Sequence, residues 1–285
     1  MNLIIIGLGY VGTHIRARLS MLSAAHTIWG THRSPGWRAF SQDVQLCVFN
    51  TKKPLEATLL NAVTHILITA PPENKSDTFL EHHKNHLPFL PHLKWIGYMS
   101  TTSVYGDHKG AWVTEKSFCN PTSTPGQDRL VIEDTYRKLH NTHGVPVHIF
   151  RTSSIYGKGR SVFDRLASPS HQHIYAPGHC FSRIHVDDIA RLIVASMQAP
   201  TPGEIFNLAD KNPAPTHELT EYACALLGQK KPPLTALQNA TLSPRMKDFY
   251  RDYKRVDGTK IQEILGVHLH YPTYREGLTA IHTLS

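Results

Sequence analysis

A short apolar run, a glycine turn and an amphipathic helix at the start of the chain constrain its fold more than anything else in it. Leu3-Ile4-Ile5-Ile6 has no polar face, as a strand covered on both sides requires. Gly7-Leu8-Gly9-Tyr10-Val11-Gly12 follows at once. Val11, Ile15, Leu19 and Leu22 then form the stripe of a helix. In this G-x-G-x-x-G pattern the first glycine permits a tight turn. The second lets a pyrophosphate reach the backbone, and the third lets helix and strand pack closely. The helix N-terminus offers N–H groups and the positive end of its dipole to phosphate. Gly7, Gly9, Tyr10, Val11 and Gly12 are therefore candidate contacts for a dinucleotide.

Further apolar runs follow, separated by helical stretches: His26 to Trp29, Val44 to Phe49, His65 to Thr69, Trp95 to Met99 and His148 to Phe150. Strands alternating with helices imply βαβ units, so the expected fold class is α/β, a Rossmann-type doubly wound parallel sheet. Right-handed crossovers place all the strand-end loops along one edge, where ligands bind. Later helices are expected from Asp188 to Met197, from Thr216 to Leu227 with Gly228 as C-cap, and from Asp257 to Leu265 ending at Gly266. Three proline-bearing stretches break up this half, which reads as a smaller C-terminal substrate lobe. The expected division is 1–158 plus about 181–208 for the dinucleotide-binding domain, and about 159–180 plus 209–285 for the lobe.

The second strand selects the dinucleotide. An NAD site usually carries an acid about 20 residues past the glycines, bonded to the ribose 2′-OH. This chain has Gly30-Thr31-His32-Arg33 there. Thr31 can offer a hydroxyl, His32 a charge when protonated, and Arg33 a bidentate grip on a 2′-phosphate. NADP(H) is expected over NAD(H). After the fourth strand, Ala70, Pro71 and Pro72 form a stiff loop expected to wall the adenine side.

Charge agrees with an anionic ligand: 30 Lys plus Arg against 22 Asp plus Glu give +8, and 20 histidines add more in acid. The basic residues are spread out with no basic block, so a small anionic substrate is expected rather than nucleic acid. No apolar run approaches the roughly 20 residues of a membrane span. The N-terminus has no basic leader, and Cys47, Cys119, Cys180 and Cys224 show neither metal nor disulfide spacing. A cytoplasmic protein with buried thiols and no metal is the expectation.

Four segments resemble the extended short-chain dehydrogenases/reductases of the NAD(P)-dependent epimerase/dehydratase family. They are the glycine turn, Ser100-Thr101-Thr102-Ser103-Val104-Tyr105-Gly106, Arg151-Thr152-Ser153-Ser154-Ile155-Tyr156-Gly157, and Arg183-Ile184-His185-Val186-Asp187-Asp188-Ile189-Ala190. Gly203-Glu204-Ile205-Phe206-Asn207-Leu208 is a weaker fifth match. The resemblance implies an oxidoreductase or epimerase-like enzyme for a small polar or nucleotide-linked substrate. It makes Thr101 the hydroxyl that orients the reacting oxygen, with Thr102 or Ser100 as substitutes, and it allows a homodimer. It also implies that His185-Val186-Asp187-Asp188 opens a helix, a carboxylate standing at or near its N-cap.

One segment departs from the family. The resemblance calls for Y-x-x-x-K between the second and third segments, the tyrosine as acid/base. If Glu133 is the glutamate that follows the lysine by four, Pro125 takes the tyrosine position and Arg129 the lysine position. Proline transfers no proton, and arginine holds a ribose or phosphate but is a poor donor at neutral pH. Tyr98, Tyr105 and Tyr156 remain as phenols, with no ground to choose among them. A non-catalytic NADP(H)-binding sensor or partner-binding protein is the alternative. Arg160 and Arg183 fit substrate contacts or plain surface charge, and His82, His83 and His86 are expected on a solvated helix.

Overall fold

The apolar run forms strand β1 (Asn2–Ile6), in which Leu3, Ile4 and Ile5 are fully buried. The computed structural model describes residues 1–22, 25–34, 44–73, 75–168 and 171–284, without the side chain of Arg245. After β1 come α1 (Tyr10–Ser20), β2 (Thr27–His32), β3 (Val44–Val48), α2 (Ala57–Ala62), β4 (His65–Ile68), α3 (Thr78–His83), β5 (Trp95–Thr101), β6 (Trp112–Val113), α4 (Thr124–His143) and β7 (Val147–Thr152). The remainder is β8 (Ser154–Tyr156), α5 (Val162–Leu166), β9 (His173–Tyr175), β10 (Arg183–His185), α6 (Val186–Gln198), β11 (Ile205–Leu208), α7 (Thr216–Leu227), β12 (Leu234–Ala236), α8 (Pro244–Arg251), β13 (Arg255–Val256), α9 (Thr259–Leu265) and α10 (Tyr274–Thr283).

Seven strands form the central sheet in the order β11-β7-β5-β4-β1-β2-β3. The pairs from β3 through β2, β1 and β4 to β5 are parallel. The chain runs outward from β1 to β3 and then returns to β4 on the other side of β1. That reversal is the topological switch point, where ligands lie beyond the strand C-termini in such sheets. The glycine turn follows the strand at that point.

Contacts divide the chain into two units. The first holds Met1–Thr101, Thr124–Arg151 and Ile189–Phe206. Its core joins Ile4, Ile6, Ile66, Ile68 and Ile96 of the sheet to Phe79, Ile132 and Tyr136 of the helices. The second holds Thr102–Ser123, Thr152–Asp188 and Asn207–Ser285. It contains two-stranded pairs, β10 with β8, β12 with β9 and β13 with β6, all parallel. One of its cores packs Tyr156 against Leu219, Tyr274 and Leu278. These bounds differ from 1–158 plus about 181–208 chiefly at Thr102–Ser123, whose β6 pairs with β13.

Gly228 and Gly266 close α7 and α9 in the left-handed conformation. One other expectation needs correction. His83 is not on a solvated face: it is 3% exposed, and its Nε2 accepts the Leu55 N–H at 3.2 Å. The segment His185-Val186-Asp187-Asp188 opens α6 as expected, and Asp188 does more than stand in its first turn. Its carboxylate is buried and accepts the N–H groups of His270 (2.6 Å) and Tyr271 (2.9 Å), pinning the C-terminal segment.

Candidate functional site

Gly7 turns with φ +88°, and a Cβ there would lie 2.9 Å from the Ala70 nitrogen. A side chain at Gly12 would press on Ile5, with Cγ2 at 3.0 Å, so α1 crosses β1 at glycine distance. Gly9 differs: a Cβ there meets nothing nearer than the Gly7 carbonyl at 3.9 Å. The turn is therefore closed beneath and open above. Gly9 also stands at the N-cap of α1, where glycine has no side chain to cap the helix and the first turn carries no acid. An uncapped helix start beside open backbone is suited to an anion. Tyr10 and Val11, half-buried, begin that helix.

The end of β2 supports this turn. Thr31 is buried, and its Oγ1 accepts the Gly7 N–H at 2.8 Å. Its hydroxyl thus braces the glycine turn from the sheet and is not presented at the surface. Half-buried His32 bonds through Nδ1 to the Ser34 carbonyl. Arg33 is exposed and forms an ion pair with Glu73. The loop after β4 is tied to the same turn. The Thr69 hydroxyl donates to the Gly7 carbonyl at 2.5 Å, and Ala70 N–H donates to the Ile6 carbonyl at 2.9 Å. Beyond Ala70, Pro71 is exposed and Pro72 half-exposed.

The end of β5 is built from side chains. Ser100 donates through Oγ to Glu133 of α4 at 2.5 Å. Arg151 of β7 meets the same carboxylate, with Nη2 at 2.7 Å and Nε at 3.2 Å from both oxygens. All three are buried, so one charge pair locks α4 across two strands. Ser100 is consumed in that lock. Thr101 and Thr102, both half-buried, are the hydroxyls that follow. Arg129 of α4 reaches the same strand end, Nη1 donating to the Met99 carbonyl at 2.5 Å. Behind it, Tyr98 stacks on Tyr136 at 5.0 Å, and the Tyr136 hydroxyl donates to Asp77 at 3.3 Å. Burial raises the pKa of Asp77, which also caps α3 through the N–H groups of Phe79 and Leu80. Glu133 and Arg151 carry sequence signals in their segments; Asp77 and Tyr136 carry none.

The sequence profile of the NAD-dependent epimerase/dehydratase family matches residues 3–209. The chain belongs to that family. Membership places it among NAD(P)-dependent, oxidoreductase-like proteins. A conserved protein of unknown function from Silicibacter pomeroyi DSS superimposes with a TM-score of 0.86 at 35% identity, over 99% of this chain and 98% of that one. UDP-glucuronic acid 4-epimerase from Bacillus cereus, in complex with NAD, gives 0.77 at 17% identity over 99% and 98%, a likeness of fold. Protein YeeZ of Escherichia coli K12 is 31% identical over 181 residues, 62% of this chain and 58% of that protein. The chain thus spans less than three fifths of that curated relative's length in the match.

The resemblance puts Pro125 at the tyrosine position and Arg129 at the lysine position of the epimerase/dehydratase pattern. Pro125 is exposed in the first turn of α4, where a residue without an N–H costs the helix nothing. The three phenols named from the sequence are all buried. Burial lifts Tyr98 and Tyr156 well above the ordinary tyrosine range. Tyr105 donates to Asn207 at 2.7 Å and Tyr156 to the Thr273 carbonyl at 3.4 Å, both inside the second unit.

In that unit Arg183 is neither surface charge nor an exposed substrate contact. It is 5% exposed, and its Nη1 donates to the carbonyls of Phe181 and Ala214, each at 2.7 Å. Burial lowers its pKa to about 10 and raises that of its neighbour Asp210 to about 8. Arg160 is exposed. Among the described residues no cluster of His, Cys, Asp or Glu could hold a metal, no helix is long and apolar enough to cross a membrane, and the cysteines form no disulfide.

Proposed function

We propose that this chain is a cytoplasmic NADP(H)-dependent oxidoreductase or epimerase-like enzyme, able to form a homodimer, acting on a small polar, anionic or nucleotide-linked substrate without the usual Tyr-x-x-x-Lys. The observation that carries the reading is the turn at Gly7–Gly12, with its open Gly9 and uncapped helix start. Gly9, Tyr10, Val11 and Gly12 would hold the pyrophosphate. Arg33 would meet the 2′-phosphate, while Thr31 and His32 shape its approach. Ala70, Pro71 and Pro72 would flank the adenine. Two neighbours of the same fold were solved with NAD bound, which supports a dinucleotide in this place. When bound, the nicotinamide supplies or accepts the hydride.

At the end of β5, Thr101 would orient the substrate oxygen, with Thr102 as its neighbour, and Arg129 would hold cofactor or substrate by charge. The proton would then come from water or substrate. In this reading 1–158 plus about 181–208 serve the dinucleotide, and about 159–180 plus 209–285 the substrate.

The burial of Tyr98, Tyr105 and Tyr156 favours a second reading, a dinucleotide-binding sensor or partner-binding protein without turnover. One series of measurements separates the two. Titration of NADPH and NADH is followed by nicotinamide fluorescence on wild type and Arg33→Ala. The proposal expects NADPH to bind in preference, and Arg33→Ala to weaken it roughly ten- to a hundredfold, the scale of a charge-assisted phosphate contact. Binding of neither nucleotide rejects both readings. Tight NADPH binding with no hydride transfer across a panel of carbonyls and alcohols leaves the sensor.

A further inference from the structure

We infer that Glu73 is a built-in competitor for the cofactor's 2′-phosphate, so that the ion pair it makes with Arg33 sets how strongly the chain prefers NADP(H) over NAD(H). The inference rests on the reading of Arg33 as the phosphate contact.

The sequence supplies no acid at the end of β2, where an NAD site has one. The fold brings one there from 40 residues away: Glu73 pairs with Arg33 Nη1. Its position is set by the backbone. The loop leaves β4 through Thr69 and Ala70, which are bonded to Ile6 and Gly7 at the glycine turn. It then closes on itself, Glu73 and Ser76 exchanging both backbone hydrogen bonds at 2.9 Å. Lys75 takes up the turn with φ +64°, and the Ser76 hydroxyl is tied to Glu81 of α3 at 2.5 Å. Asp77, the next residue, is buried as the N-cap of α3. Glu73 is thus carried by a turn anchored at both ends, one of them at the glycine turn.

Chemistry gives this placement a consequence. A carboxylate and a phosphate oxygen seek the same guanidinium edge, and both are anions. A phosphate arriving at Arg33 must displace Glu73 or bind beside it against like charge. An unphosphorylated ribose meets neither cost. The pair is exposed, with side-chain exposures of 73% and 44%, so the competition is weak enough for a ligand to win. Glu73 thereby trims the affinity for NADP(H) while leaving that for NAD(H) alone.

The test titrates NADPH and NADH into the full chain as wild type, Glu73→Gln, Arg33→Ala and the double variant, at about 50 mM salt to limit screening. Removing the Glu73 charge should tighten NADPH about three- to tenfold, the scale of one screened charge pair near a surface. NADH should change less than about twofold. In the Arg33→Ala background the Glu73 substitution should have a smaller effect, because no ion pair is left to break. Unchanged NADPH affinity, or equal tightening of both nucleotides, overturns the inference. Weaker NADPH binding in Glu73→Gln also overturns it, and would make Glu73 the holder of Arg33. Weaker NADH binding overturns it by making Glu73 a ribose-hydroxyl acceptor. If wild type binds no NADPH, or Arg33→Ala leaves NADPH untouched, the cofactor reading itself fails and takes this inference with it. If NADPH preference depends on Arg33 and Glu73→Gln is silent, only the competition is lost.

Discussion

The end of β1 and the end of β5 lie in one sheet and are built in opposite ways. At β1 the surroundings are backbone: glycine, a helix start without a side-chain cap, and hydroxyls of Thr31 and Thr69 bonded to the turn from below. At β5 they are side chains locked to one another, Ser100 and Arg151 on Glu133 and Arg129 on the Met99 carbonyl. The open end keeps every residue type its motif requires. At the locked end the resemblance sets Pro125 and Arg129 where the family pattern calls for tyrosine and lysine. A site that binds through main-chain groups depends on a few glycines, whereas one that moves protons depends on particular side chains. On the proposed reading, the binding end can stay intact while the chemistry at the other end changes.

The sharpest way to break this contrast is to cut the lock. Glu133 and Arg151 are 1% and 5% exposed, so removing either leaves an uncompensated buried charge. Arg151→Ala should destabilise the protein by about 3–5 kcal/mol, read from the midpoint of urea unfolding. A loss below about 1 kcal/mol, the range of exposed pairs, would mean that the β5 end is not locked as its geometry suggests.

Acid tests burial elsewhere in the same unit. His148 stacks on Trp95 of β5 at 5.5 Å, and its Nε2 accepts the Thr201 N–H at 2.8 Å. His83 accepts from Leu55 in the same manner. A proton on either ring would face an N–H donor. Burial accordingly lowers both pKa values from 6.5 to about 4. The unfolded chain then binds more protons than the folded one between pH 6.5 and 4. Stability is full above that window, falls through it as pH drops, and levels off below it. Each histidine contributes up to about 2–3 kcal/mol of this loss. His148→Gln should flatten the pH slope of urea unfolding; an unaltered slope would show that this ring is not buried neutral.

The legible parts of the molecule were those whose cause is local. The strand–turn–helix at Gly7–Gly12 and the helix ends at Gly228 and Gly266 were each written in a few consecutive residues. What could not be read depends on partners far along the chain. Asp188 stands in the first turn of α6, as its segment indicates, but its carboxylate also serves N–H groups 82 and 83 residues away. Tyr136 and Asp77 meet across 59 residues, and His83 is buried by the way α3 packs, which no spacing announces. Arg183 looked exposed because most arginines are, and carbonyls from two segments of its unit hold it inside. At the candidate site, the sequence offers the Thr31 hydroxyl to a cofactor at the end of β2, whereas the fold turns it to the Gly7 N–H, a partner 24 residues away.

The finest distinction lies between two glycines two residues apart. Gly7 has φ +88° and a backbone neighbour at 2.9 Å from any added Cβ, so Gly7→Ala should cost about 1–3 kcal/mol of stability whatever the ligand. Gly9 has φ −101° and open space, so Gly9→Ala should leave stability within about 0.5 kcal/mol of wild type. If the space above Gly9 receives a pyrophosphate, the same methyl should weaken NADPH binding at least roughly tenfold, because it fills the approach that glycine leaves. The pair is read by urea unfolding and nucleotide titration on the same two proteins. Equal stability losses would mean that the turn is closed on both sides. Normal NADPH affinity in Gly9→Ala, with Gly7→Ala destabilised as expected, would show that the opening at β1 is a feature of packing and that phosphate binds elsewhere.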